Sequence, residues 1–309
     1  MSSRAGRLVA AIPAYRSGEL LERCLSSLRY ERFDVICVFE NGSPQESKKK
    51  AKAISARFSN VLFVDSEKNL GFGEGVNRAC EILRVSREDI LLVLNVDVEL
   101  SQGVVGSIEN FLLQTPCAIV APTIMTDSRL GPRVWYSGGH VSVAAGFATM
   151  RSLARNSRER LGGREVGFAP GTVLGMSGQT WALVGGFRRD FFLYFEDVDF
   201  CMRARMKGAK IFVLPALVWH QVGGSSSRHR FSKPPYYFYY MTRNRLWLFG
   251  ENPGALQLLL GQGIAFTSFL LLKAFFSTGI RENLTAIYRG VIDGLRSAPR
   301  FERAYRPGG

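Results

Sequence analysis

Three carboxylates, Glu196, Asp197 and Asp199, fall within four positions of the aromatic stretch FFLYFEDVDFC. An ionised carboxylate beside a hydroxyl can take its proton at neutral pH, and a helix start, where backbone amides point outward, favours the ionised form. Three acids that only stabilise a helix N-terminus, by roughly 0.3–1 kcal/mol each, are the plainer reading. Another acid, Asp97, sits among apolar residues in VLNVDVEL, and His220, one of three histidines, closes the run VWH. Paired across a cleft, an aspartate and a histidine supply part of an oxygen and nitrogen shell for a divalent ion. A histidine satisfying a polar neighbour is the alternative at His220.

Groups so far apart in sequence need a scaffold. Four short apolar runs, Leu8 to Ile12, Val35 to Phe39, Val61 to Val64 and Ile90 to Leu94, alternate with segments of helical periodicity. That rhythm predicts an α/β fold, a mostly parallel sheet covered by helices. In the first helix Ser17 can cap, Glu19 sits in the first turn, and Leu20, Leu21, Cys24, Leu25 and Leu28 face the sheet. A second runs from about Gln45 to Phe58, its outer lysines 48, 49, 50 and 52 forming either solvated surface or a binding patch. Parallel sheets bind ligands beyond the carboxyl ends of their strands. Here those ends carry Pro13, Ala14 and Tyr15, then Glu40, Asn41, Gly42 and Ser43, then Asp65, then Asn95 to Asp97.

Between the third and fourth runs, KNLGFGEGVNRA places Gly71, Gly73 and Gly75 before a helix beginning near Glu74. Its spacing is not the dinucleotide fingerprint, and no GxxxxGK[ST] loop occurs. Either the glycines let backbone and Asn77 approach a nucleotide or sugar, or they form a tight turn. Later, Glu196 to Lys207 reads as a helix stopped by Gly208, followed by a strand from Ala209 to Leu214 that breaks at Pro215.

A chain of 309 residues, 46% hydrophobic and 12% aromatic, can bury a full core. Its net charge of +14 predicts anionic partners: a nucleic acid, a phosphorylated small molecule or an anionic membrane. Five scattered cysteines without a CxxC pair argue against a disulfide framework or structural zinc and suit a reducing cytosol. LVAAIPA near the N-terminus reads as a buried strand and not as a signal-peptide core.

The segments NGS (Asn41 to Ser43), NLGFGEGVN (Asn69 to Asn77), LNVDV (Leu94 to Val98), GGF (Gly185 to Phe187), FFLYFEDVDFCMRARMKG (Phe191 to Gly208) and VWH together resemble a GT-A fold glycosyltransferase of family 2, rhamnosyltransferase-like branch. The resemblance spans about Val9 to Gly224. It implies a Rossmann-like catalytic domain and inverting transfer of a sugar from a nucleotide donor with Mg²⁺ or Mn²⁺. On it, Asp97 and His220 would hold the metal and Asp197 would be the catalytic base. Glu196, Asp199 and Trp181 would lie in the acceptor region. Pro13, Ala14, Tyr15, Glu40, Asn41, Asn69, Gly71, Gly73, Asn77, Asn95 and Asp97 would surround the nucleotide sugar. Asn95 departs from the first Asp common in the DxD element, and Glu40 from the Asp common after the second strand. The branch implies dTDP-L-rhamnose first and a UDP-hexose such as UDP-galactose or UDP-GlcNAc second, with a glycan or lipid-linked glycan acceptor in cell-surface polysaccharide synthesis. A catalytically inactive membrane-associated scaffold is the reading that Asn95 favours.

The catalytic domain is expected over residues 1–228, its nucleotide-sugar half about 1–100 and acceptor half about 101–228, with a basic, aromatic helical region over 229–309. Gly223 to Pro235 reads as a flexible connector, followed by YYFYYMTRNRLWLF. From Arg228 onward twelve Lys and Arg face four acids, so eight of the fourteen net charges lie in this tail. The apolar run Leu256 to Phe276 has three readings: a helix lying on an anionic membrane surface, a helix buried against the protein or a second subunit in a homo-oligomer, or a transmembrane span. The first places the protein in the cytoplasm, peripheral on the inner face of the cytoplasmic membrane. With no RNA or DNA module visible and the charge concentrated in an apolar tail, nucleic acid is not an expected partner.

Overall fold

The computed structural model describes residues 6–128, 130–143, 145–150, 163–221, 233–250, 259–261 and 263–296. The chain divides into two compact units, Met1–Val141 with Ala148–Ser225, and Ser142–Phe147 with Ser226–Gly309. The elements before the tail are β1 (Leu8–Ala14), α1 (Gly18–Leu28), β2 (Val35–Asn41), α2 (Gln45–Ser55), β3 (Val61–Ser66) and α3 (Phe72–Leu83). They continue with β4 (Ile90–Leu94), β5 (Val98–Leu100), α4 (Val104–Gln114), β6 (Ala118–Thr126), β7 (Arg133–Tyr136), and a two-stranded ribbon of β8 (Gly139–Ser142) and β9 (Phe147–Met150). β10 (Arg164–Glu165), β11 (Val173–Ser177), α5 (Gly178–Val184), α6 (Glu196–Met206) and β12 (Lys210–His220) complete them.

The main sheet runs in the order β10-β12-β6-β11-β4-β1-β2-β3. β3, β2, β1 and β4 are mutually parallel, as the apolar rhythm predicts. All seven residues of β1 are buried, the continuous apolar run of a strand covered on both faces. α1 lays Leu21, Cys24, Leu25 and Leu28 on this core, each leucine worth about 1.5–3 kcal/mol of burial. β11 is antiparallel to both β4 and β6, and β12 is parallel to β6. Two reversals therefore restore the direction of β4. The carboxyl ends of β1, β2, β4 and β12 share one edge of the sheet, together with the residues leading into β11.

Five local expectations change. Ser17 precedes α1 without capping it: its backbone is already helical and its buried Oγ has no hydrogen-bond partner. α2 ends at Ser55, and α3 starts at Phe72 directly after Gly71, whose φ is +84°. Lys48, read as surface or binding patch, donates to the Ser66 carbonyl at 2.6 Å. β12 does not break at Pro215. It continues to His220 through a register shift between Leu214 and Leu217, a bulge that accommodates a residue lacking an N–H.

The second unit contains α7 (Pro235–Phe249), α8 (Ile264–Phe275) and α9 (Ile280–Arg296). Phe238, Leu270, Ala274, Ala286 and Ile287 form its small core. Gly290 and Gly294 let α9 approach α7 closely, since a Cβ there would stand 2.7 Å from the Tyr239 carbonyl and 2.6 Å from Leu246 Cδ1. Arg245 is buried and donates to the carbonyls of Gly146 and Gly263 and to Thr267 Oγ1. Burial lowers its pKa to about 10. Among the described residues no helix is long and apolar enough to cross a membrane. Residues 223–232 of the expected connector, and 222 and 251–258, lie outside the described residues.

Candidate active site

The positions expected on the nucleotide side begin where β1 and β2 end in register, Ala14 opposite Glu40. Pro13 and Ala14 are buried, Tyr15 is exposed, and the Arg16 N–H donates to Ser43 Oγ at 2.8 Å. Glu40 is fully buried. Its Oε1 accepts from the Ser43 N–H at 3.1 Å and its Oε2 has no partner, and burial raises its pKa. Asn41 binds the neighbouring loop at both ends of its amide, donating to the Gly71 carbonyl at 2.8 Å and accepting from the Leu70 N–H at 2.9 Å. Asn69 closes the same turn by accepting from the Gly71 N–H.

The glycine motif is a clamp. A Cβ on Gly71 would stand 2.2 Å from the Phe192 carbonyl oxygen, and one on Gly73 2.9 Å from Phe187 Cβ. The Phe72 N–H donates to Phe192 O. Asn77 grips the main chain of Phe187, donating to its carbonyl at 2.8 Å and accepting from its N–H at 2.9 Å. The start of α3 thus holds the segment that delivers α6. Gly71→Ala is expected to cost at least about 2 kcal/mol, from positive-φ strain and backbone overlap together. Gly185→Ala carries the same φ of +84° with no atom within 4 Å, so it should lose only the strain; equal melting-temperature losses would refute the clamp.

The positions expected on the metal side follow β4. The Asn95 N–H donates to Thr172 O at 3.0 Å. β5 then pairs antiparallel with the end of β12, His220 opposite Val98, and Gln221 donates its N–H to the Asp97 carbonyl. This pairing sets His220 Nε2 3.2 Å from Asp97 Oδ2. Asp97 Oδ1 and His220 Nδ1 are both buried without hydrogen-bond partners, and Trp135 packs edge-on against the imidazole. Two ligand atoms this close can share one divalent ion at about 2.1 Å from each, so the pair fits a metal. Among the described residues no third His, Cys, Asp or Glu joins them.

The positions expected on the base side open α6. Tyr194 and Phe195 both adopt positive φ, +68° and +69°, a turn that costs non-glycine residues of order 1–3 kcal/mol each and is characteristic of functional sites. It places Glu196, Asp197 and Asp199 in the first turn of the helix. Asp197 Oδ2 accepts from the Gly171 N–H at 3.1 Å and Oδ1 from the Val198 N–H at 2.8 Å. Burial raises its pKa, and these amides oppose the rise. Glu196 is buried with Oε2 unpartnered, and burial, then the charge of Asp197, pushes its pKa well above the carboxylate range. Asp199, fully buried, pairs with Arg203 Nε at 2.7 Å and Arg188 at 3.7 Å. Arg203 also donates to the carbonyls of Val184 and Gly186, fixing α6 to the turn after α5. Trp181 packs its ring on Phe187 and Phe200.

The link between the two halves is the dipeptide Gly171-Thr172, which no sequence motif marked. Thr172 accepts from Asn95 and Gly171 donates to Asp197. A side chain on Gly171 would strike the Phe72 ring at 2.7 Å. Burial raises the Glu196 pKa and so favours the neutral carboxyl, and its neutral replacement is expected to matter little. Glu196→Gln is expected to keep transfer within about threefold and to leave in place the acid limb of kcat/KM expected of Asp197 as the base, above the ordinary aspartate range. The substitution should also flatten part of the pH dependence of stability. A carboxyl whose folded pKa is raised gains stability as pH falls from that pKa toward the ordinary Glu range, and Gln cannot. A hundredfold loss of transfer would show Glu196 acting as an anion.

This sheet and its polar edge define a GT-A α/β fold. Likeness to solved structures shows the same fold: the GalNAc-T7 crystal structure with UDP, GalNAc and Mn²⁺ superposes with a TM-score of 0.60 at 12% identity, over 81% of this chain and 51% of that one. TarS of S. aureus gives 0.51 at 16% identity, over 88% and 44%. The chain thus spans about half the length of these two proteins. Residues 10–177 match the family described as Glycosyl transferase family 2. The chain belongs to that family and is a glycosyltransferase. It is 27% identical over 235 residues to the N-acetylglucosaminyl-diphospho-decaprenol L-rhamnosyltransferase of Mycobacterium tuberculosis, covering 69% of this chain and 76% of the relative. It is 26% identical over 153 residues to the low-salt glycan biosynthesis hexosyltransferase Agl10 of Haloferax volcanii, about half of each chain.

Proposed function

We propose that the protein is an inverting, divalent-metal-dependent transferase moving L-rhamnose from dTDP-L-rhamnose to a lipid-linked glycan at the cytoplasmic face of the membrane. The observation that carries the chemistry is the Asp97–His220 pair with its unpartnered buried atoms, on the same sheet edge as the amide-held Asp197. The choice of sugar and acceptor rests on the mycobacterial relative, whose name specifies a rhamnosyl transfer to a diphospho-decaprenol glycan.

In this mechanism Asp197 takes the proton of the acceptor hydroxyl as its oxygen bonds to the anomeric carbon. The bond from that carbon to the nucleotide diphosphate breaks in the same displacement, inverting the configuration. Mg²⁺ or Mn²⁺ held by Asp97 and His220 would neutralise charge on the departing diphosphate. The strand-end residues 13–15 and 40–41 border the nucleotide. Asn41, Asn69, Gly71, Gly73 and Asn77 shape the site by holding its loops, and Asp199 by fixing α6. Trp181 backs the acceptor side.

The hexosyltransferase relative favours a second reading, a UDP-hexose donor. A donor panel of dTDP-L-rhamnose, UDP-galactose and UDP-GlcNAc, offered with Mn²⁺ and polyprenyl-diphospho-GlcNAc, separates the two. Product from the first alone supports the proposal, product from a UDP-sugar alone replaces the donor, and transfer from none to this acceptor refutes the acceptor assignment.

A further inference from the structure

Two of the three polar side chains of α8, Thr267 and Lys273, face the wrong way for a helix in water. Thr267 Oγ1 accepts from Arg245 Nη1 at 3.0 Å, and Lys273 Nζ reaches inward to donate to Tyr237 OH at 3.1 Å. Only Leu270 and Ala274 of the apolar residues are buried. Ile264, Phe269, Leu271, Leu272, Phe275 and Phe276 are all exposed, from 43% for Leu271 to 71% for Phe276. They fall in two adjacent rows at i, i+3 and i+4 spacing, interrupted on the outside by Ser268 and Ala265. A helix packed on a protein core in water shows the reverse arrangement, and contiguous apolar surface of this extent marks an interaction face.

Length and charge identify what covers it. Twelve residues rise about 18 Å, against a hydrocarbon core of about 30 Å, so the helix can lie in a bilayer interface and cannot cross it. Arg281 and Arg289 are exposed on the following helix, and the tail from Arg228 onward carries twelve basic residues against four acids. That excess attracts an anionic leaflet and repels a second copy of the same tail.

We infer that α8 is a monotopic anchor whose outer face, centred on Phe269, Leu272, Phe275 and the capping Phe276, inserts into an anionic membrane leaflet while Thr267 and Lys273 bind the protein. This deepens the membrane-surface reading above and rests on it for the choice of leaflet. Its consequence is that the enzyme meets a lipid-linked acceptor in two dimensions.

Flotation with vesicles of phosphatidylcholine, alone and mixed with phosphatidylglycerol, tests the anchor. The full chain is expected to float with the mixed vesicles, more weakly with the neutral ones, and Leu272→Glu/Phe276→Glu to lower the partition by about thirtyfold or more. Leu113→Glu, at another exposed leucine, should leave partition unchanged. Phe276→Trp emission should be quenched by lipids brominated on the acyl chain. A wild type that stays in the dense fraction, a double variant that floats normally, or an unquenched Trp overturns the inference. So does a lipid-free dimer abolished by the double variant, which would give the face to a second copy. Transfer to a short-chain, water-soluble acceptor separates the two readings: the double variant should match the wild type there. If neither protein transfers sugar while flotation behaves as described, the transferase reading fails and the anchor stands.

Discussion

Asp197→Asn is expected to lower the transfer rate by about 10²–10⁴-fold while leaving nucleotide affinity and melting temperature near those of the wild type. The amide keeps the shape of the carboxylate, and its carbonyl oxygen can still accept from the Gly171 or Val198 N–H. What it loses is the capacity to take a proton. The effect should therefore appear in kcat and kcat/KM together, as for a group acting in the transition state. The rate of the variant should also lose the acid limb expected of the wild type with Asp197 as the base, since no carboxyl titrates there. Loss of donor binding in parallel with rate, measured by calorimetry, would instead make Asp197 a structural bracket for the Gly171-Thr172 link.

The second large effect is expected at the pair 3.2 Å apart. Asp97→Asn and His220→Ala should each weaken Mn²⁺-dependent binding of the donor nucleotide by about 10–100-fold or more. Affinity measured with the metal chelated should change little. The double variant should lose scarcely more than either single one, because two ligands of one ion act as a unit. A metal requirement unchanged in both variants would show that the contact is an ordinary buried hydrogen bond. His220→Ala also removes the surface on which Trp135 rests. A near-normal melting temperature is thus a condition for reading the binding data.

The parallel half of the fold was legible because buried parallel strands write themselves as unbroken apolar runs, as Leu8–Ala14 and Ile90–Leu94 do. The residue types at the strand ends and the acids of α6 were equally visible, since chemistry restricts which side chains can serve. What brings them together was not. The Asn77 grip on Phe187 joins residues 110 positions apart, and the Gly171 contact to Asp197 joins a glycine without a motif to a helix start. Both are backbone interactions that leave no periodic trace. His220 meets Asp97 only because β5 turns back onto β12, a pairing three residues long. Pro215 signalled a strand end, yet the ladder continued past a bulge. Positive φ at Tyr194 and Phe195 contradicts the local preference of aromatic residues, and tertiary packing decides it. The orientation of α8 was hidden for a related reason: composition reveals that a helix is apolar, and only its packing reveals which side faces out.

The most direct test of the central claim, that Asp97, His220 and Asp197 serve one transfer site, is anomalous diffraction at the manganese edge from crystals soaked with Mn²⁺ and dTDP-L-rhamnose. One strong peak is expected within about 2.0–2.6 Å of Asp97 and His220, beside the diphosphate, with the anomeric carbon presented to Asp197. Manganese held by other residues, or a nucleotide bound away from the carboxyl ends of β1, β2 and β4, would contradict it.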